Sequence, residues 1–142
     1  MTLNYTFPGP GEEDKIYKLL ELLYEGHVDG GLRGVLREFL KDDGYFKIAA
    51  VDGETGAFAG FMAGSCRLEV DFECRAGIIE ELIVLPEYRK RGIGKKMLEA
   101  FEAWSRGRGA SGFLVPCGRT GFYEAMGFEK HLVHRYWKEF KD

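Results

Sequence analysis

The sequence predicts a single α/β domain of the α+β kind, with a mixed, mostly antiparallel sheet flanked by helices. Three observations lead there. Two helical apolar patterns come first; strand-like runs separated by turn residues follow over 45–68; and a strand, a helix and another strand from Gly77 to Val115 require a parallel crossover. The 142 residues, 45% hydrophobic and 30% charged, suffice for one soluble core, taken as residues 1–142, and leave no room for a second.

In order, Leu3 to Phe7 alternates weakly as a first strand, closed by Pro8-Gly9-Pro10-Gly11. From Glu12 a helix is expected, with Glu12, Glu13 and Asp14 complementing its dipole and Ile16, Leu19, Leu20, Leu22 and Leu23 forming its apolar stripe. Gly26 stops it, and Leu32, Val35, Leu36, Phe39 and Leu40 give a shorter second helix. After the turn Asp42-Asp43-Gly44, Tyr45 to Val51 and Ala57 to Leu68 read as an antiparallel pair joined by Asp52-Gly53-Glu54-Thr55-Gly56. Leu68 to Arg75 alternates strictly, which predicts a half-exposed hairpin with an acidic side. A strand over Gly77 to Leu85, a helix from Ile93 to about Arg106 and a short strand at Phe113 to Val115 complete the crossover. A brief helix at Phe122 to Met126 capped by Gly127, and a final strand from Phe128 to Phe140, end the chain.

The net charge of −3 argues against nucleic acid as a partner, because the one basic cluster, at 89–96, is local. Met1 to Pro10 has neither a basic nor an apolar targeting region, and no apolar run is long enough for a bilayer, so no membrane partner is expected. Cys66, Cys74 and Cys117 are an odd number without metal-site spacing, which suggests no metal and a reducing, cytoplasmic setting.

The chemistry concentrates at 80–96. An aliphatic strand ends at Pro86 and runs through Arg89, Lys90, Arg91 and two glycines into a helix flanked by Lys95 and Lys96. Free N–H groups at such a helix start favour a phosphorylated ligand. A P-loop needs a glycine where Arg89 stands and a hydroxyl residue where Lys96 stands; a dinucleotide fingerprint needs a small residue where Met97 stands. The run Arg89-x-x-Gly92-x-Gly94, after Leu82 to Pro86, instead resembles the acyl-CoA signature of the GNAT family of N-acetyltransferases. Phe122-Tyr123 followed by Gly127-Phe128 resembles that family's second signature, and the element order is similar along essentially the whole chain.

That resemblance implies an acyl-CoA N-acyltransferase-like fold with splayed central parallel strands, and an enzyme moving acetyl from acetyl-CoA to a primary amine by direct attack. Backbone N–H groups from Lys90 through Arg91, Gly92, Ile93 and Gly94 to Lys95 would cradle the pyrophosphate, with Arg89 bracing the turn. The backbone at Leu82, Ile83 and Val84 would pair with the pantetheine arm. Glu80 is the implied base and Tyr123 the implied acid. Glu81 points the opposite way by the strand period unless a bulge exchanges the two. Pro116 replaces an Asn common in relatives, leaving Arg119 as a substitute phosphate contact. Tyr24, His27, Asp29, Glu80 and the acidic hairpin at 69–73 are expected around the acceptor, taken as a small cationic amine; a polypeptide amine, or acyl-CoA binding without catalysis, is the alternative. Whether the chain pairs as a homodimer stays open.

Overall fold

The computed structural model describes residues 2–26, 30–116, 120–129 and 138–140. In them a five-stranded sheet runs β1 (Leu3–Thr6), β2 (Phe46–Asp52), β3 (Phe58–Glu69), β4 (Cys74–Val84), β5 (Gly112–Leu114), in that spatial order. Neighbours are antiparallel up to β4; β4 and β5 are parallel. Helices α1 (Glu13–Leu23) and α2 (Gly31–Lys41) precede β2, α3 (Ile93–Gly107) makes the crossover, and α4 (Thr120–Ala125) follows β5.

Two apolar layers hold the helices to opposite faces of the sheet. On one, Ile16, Leu19 and Leu20 of α1 and Leu36 and Leu40 of α2 pack with Ala49, Phe58, Phe61, Ala63 and Ile83. On the other, Ile93, Met97, Leu98 and Phe101 of α3 pack with Phe46, Ile48, Met62 and Ile79. β2 and the first half of β3 therefore feed alternate residues to two cores, which is why β2 is buried almost throughout and β3 continuously from Phe58 to Gly64 instead of alternating. Small residues set the helix–sheet distance under α3: a Cβ at Gly64 would lie 2.4 Å from the Phe101 ring and 2.8 Å from the Ile78 carbonyl.

Both expected chain reversals at helix ends use left-handed residues. At the end of α1, Glu25 (φ 55°) and Gly26 (φ 81°) give Glu25 N–H to Leu22 O and Gly26 N–H to Glu21 O. After α4, Gly127 (φ 89°) donates to Glu124 O and Phe128 to Tyr123 O, the paired bonds of a Schellman cap.

The expected hairpin at 68–75 is present, but its apolar side is not covered. Residues 70–72 form a 3-10 turn closed by Glu73 in the left-handed region, so the alternating pattern from Leu68 to Arg75 spans a reversal. Its apolar side has no layer to face: Leu68 is 66%, Val70 89% and Phe72 39% exposed. β5 begins one residue earlier than expected, at Gly112, and most of the expected last strand lies outside the described residues.

Replacing Gly64 with alanine is expected to destabilise the fold by about 1–3 kcal/mol, since neither a core ring nor a strand carbonyl can yield cheaply. Urea unfolding of the variant measures this, with the midpoint falling.

Candidate functional site

β4 pairs with β3 from Gly60↔Val84 to Glu69↔Cys74, but with β5 only from Ala76↔Gly112 to Ile78↔Leu114. Beyond Ile78 the β5 side of β4 has no strand among the described residues. Leu85 N–H donates to Ala59 O (2.9 Å) on β3. By the two-residue alternation, Ile83 also spends its backbone groups on β3, while those of Leu82 and Val84 face the open edge. Arg89 Nε donates to the Val84 carbonyl (3.0 Å), leaving the Leu82 N–H and C=O and the Val84 N–H toward the gap.

At the end of this edge the chain turns through Pro86–Tyr88 into α3. Lys90 (φ 63°) and Gly92 (φ 78°) are left-handed and alternate with ordinary residues, which turns successive backbone N–H groups to one side. No side chain caps α3, whose first-turn donors are Ile93, Gly94 and Lys95. Gly92 would have open space around a Cβ, whereas at Gly94 a Cβ would come within 3.1 Å of Phe122. Gly94 thus lets α4 close against the helix start.

The turn is braced from the side. Tyr88 Oη donates to Asp52 Oδ2 (2.7 Å), and Asp52 also takes the Glu54 N–H (2.8 Å), so the β2–β3 connection holds the turn 36 residues away. These bonds, with the Tyr88 hydroxyl foremost, hold the Asp52 carboxyl below its usual range. Arg91 lies over the Tyr88 ring and Lys96 over that of Tyr5. Sequence reasoning missed this brace, which joins two residues whose proximity only the strand register reveals.

The acidic pair sits at a bulge. Ala63 pairs with Glu81 and Gly64 with Ile79, so Glu80 is the extra residue of β4. Glu81 accepts a hydrogen bond from Tyr24 Oη, at the end of α1. Glu80 accepts one from Ser65 Oγ (2.8 Å), two residues from Ala63 and so on the same face. The bulge cancels the alternation between neighbours, and both carboxylates face the α1–α2 side. Burial pushes the Glu81 carboxyl above the usual carboxylate range; the Tyr24 bond draws it back, and the Glu80 charge adds to the rise.

Tyr123 is on the other side. It is buried in the α3 layer, edge-on to Phe122 and Phe128 at centroid distances of 5.2 Å each. Glu80 and Tyr123 thus lie on opposite faces of the sheet, with the gap beside β4 between them. Of the residues expected around the acceptor, Tyr24 and Glu80 come to the same face. Cys74, at the base of the acidic hairpin, is six residues of strand from Glu80, about 20 Å, and Glu69 is paired with Arg67 (2.5 Å). His27, Asp29 and Arg119 lie outside the described residues. No group of three or more His, Cys, Asp or Glu suited to a metal occurs among the described residues, nor a helix long and apolar enough to cross a membrane.

A family profile described as an acetyltransferase (GNAT) domain matches residues 42–130. Glucosamine 6-phosphate N-acetyltransferase 1 of Oryza sativa subsp. japonica is 34% identical over 91 residues, 61% of this chain and 54% of that protein. The chain spans about half the length of the curated relatives it matches. Among solved structures, AAC(6')-Iy in complex with the bisubstrate analogue CoA-S-monomethyl-acetylneamine superposes with a TM-score of 0.82 at 22% identity, covering 99% of this chain and 100% of that one. The aminoglycoside 6'-N-acetyltransferase AAC(6')-Ih of Acinetobacter baumannii gives 0.82 at 20%, with the same coverage. These likenesses establish the fold.

The brace gives a pH prediction. A carboxyl whose folded pKa lies below its unfolded value adds stability above the ordinary aspartate range, near ~4, and loses it as pH falls through the folded value. Tyr88→Phe should therefore be less stable than the parent at pH 7, with the gap closing in acid; thermal unfolding across pH measures it.

Proposed function

Because this chain belongs to the GNAT acetyltransferase family, we propose that it transfers an acetyl group from acetyl-CoA to a small cationic primary amine by direct attack in a ternary complex. The observation that carries this is the gap beside β4. There a strand edge with no partner strand among the described residues leads into a helix start without a side-chain cap at one end and borders two carboxylates at the other. An extended arm bearing amides and a pyrophosphate fits those features: N–H donors from Lys90 to Lys95 take the phosphates, and Leu82 and Val84 pair with the arm.

The thioester supplies the activated acyl group. Glu80 takes the proton of the attacking amine, directly or through water, and the Leu82 N–H polarises the carbonyl. Tyr123, a phenol that stays protonated in ordinary neutral solution when free, protonates the departing thiolate from the opposite face. Ile83 contributes side-chain packing, its backbone being turned toward β3. Two carboxylates on the acceptor face favour a cation, and the neighbouring structures include aminoglycoside acetyltransferases.

An acetyl-CoA assay over polyamines, aminoglycosides, amino acids and peptides with free N-termini tests the reading, with turnover expected on the polyamines or aminoglycosides. Activity confined to neutral or anionic amines overturns it. Tyr123→Phe should lower kcat by about 10²-fold, the low end for a positioned proton donor, while coenzyme binding measured by calorimetry changes little; an unchanged kcat removes Tyr123 from the mechanism.

A further inference from the structure

Tyr24 and Glu81 are joined across 57 residues, and the bond links the end of α1 to the bulge of β4. The carboxylate it serves is an expensive one. Glu81 lies largely out of water, and the neighbouring Glu80 carboxylate shares its face. Desolvation and like charge both favour neutralising such a group, and an apolar residue there would cost the fold less. Against these effects stands the Tyr24 hydroxyl; the β3 neighbours Ala63 and Ser65 carry no charge, and Ser65 Oγ is engaged with Glu80. Tyr24 is itself fixed. Its N–H bonds to Leu20 O (2.9 Å), and the left-handed Glu25 and Gly26 lock the helix end immediately after it.

We propose that Tyr24 is a positioning residue of the acceptor side, acting through Glu81: its hydroxyl aims the Glu81 carboxylate along the α1–α2 face and keeps it charged beside Glu80, so that an arriving cation meets two anionic groups and not one. This rests on the acetyl-transfer reading for the identity of the arriving group, but not for the state of Glu81. The sign follows from the physics. Removing a hydrogen bond that favours the charged form lets burial and the neighbouring Glu80 push the Glu81 carboxyl further up, so the second charge is lost at a higher pH than in the parent.

The test uses the full chain and the variants Tyr24→Phe and Glu81→Gln, each checked for folding by urea unfolding. Carboxyl-labelled glutamate NMR follows each titration without any ligand; the Glu81 midpoint is expected to move to higher pH in Tyr24→Phe. With the best amine of the panel above, KM for the amine at pH 6 should rise roughly fivefold or more in Tyr24→Phe and by less at pH 8.5, with kcat nearly constant. In the Glu81→Gln background the Tyr24 substitution should have no further effect. A Glu81 midpoint unchanged in Tyr24→Phe overturns the proposal, as does a Tyr24 effect that is equal at both pH values and persists without Glu81. If no amine turns over yet the Glu81 midpoint moves, the acetyl-transfer reading fails and the Tyr24–Glu81 assignment stands.

Discussion

Among the described residues, β4 is hydrogen-bonded on one side along its length and on the other for three residues. A buried strand edge left open carries unpaired donors and acceptors, which costs free energy unless something else pairs with it. The rest of the molecule is arranged around that liability. α3 crosses from the end of β4 to β5 and holds β5 close only where Gly77 and Phe113 permit it: a Cβ at Gly77 would lie 2.6 Å from Ser105 Oγ and 3.1 Å from Phe113. Past that point no strand among the described residues pairs with this side of β4, and the helix start, the glycine turn and the tyrosine of α4 lie toward that end.

The bulge supplies the second half of the arrangement. An uninterrupted β4 would send Glu80 and Glu81 to opposite layers, one of them against the apolar side of α3. One extra residue turns both to the α1–α2 face and gives each a hydroxyl partner, Ser65 or Tyr24. Charge is thereby concentrated on one face while the aromatic layer around Tyr123 stays apolar, so the two faces of one sheet offer different chemical environments within the thickness of a backbone.

Much of this was legible in the residues. The 3.6-residue stripes of α1, α2 and α3 and the Gly127 cap are local features, and the order strand, helix, strand fixes a parallel pair. The glycine spacing at 92 and 94 pointed to the turn, although at Gly94 the missing side chain is filled by Phe122. What could not be read depends on register: the bulge exists only relative to β3, and the Tyr88–Asp52 brace joins the turn before α3 to the end of β2. The alternation from Leu68 to Arg75 misled for a related reason. Period two describes side-chain direction only while the chain stays extended, and Val70–Phe72 does not.

The Arg89 side chain on the Val84 carbonyl has a metric consequence. On the proposed reading it closes the open edge at its basic end, so an extended ligand can pair with β4 only inward from that point. Four residues, about 13 Å of strand, separate Val84 from Glu80. The strand then works as a ruler with a fixed stop: phosphates seated in the turn set the zero mark, and the number of bonds along the arm decides which atom is delivered beside the carboxylates. Selectivity for the donor would on this account be a matter of contour length, read by the backbone, and independent of whatever side chains select the amine.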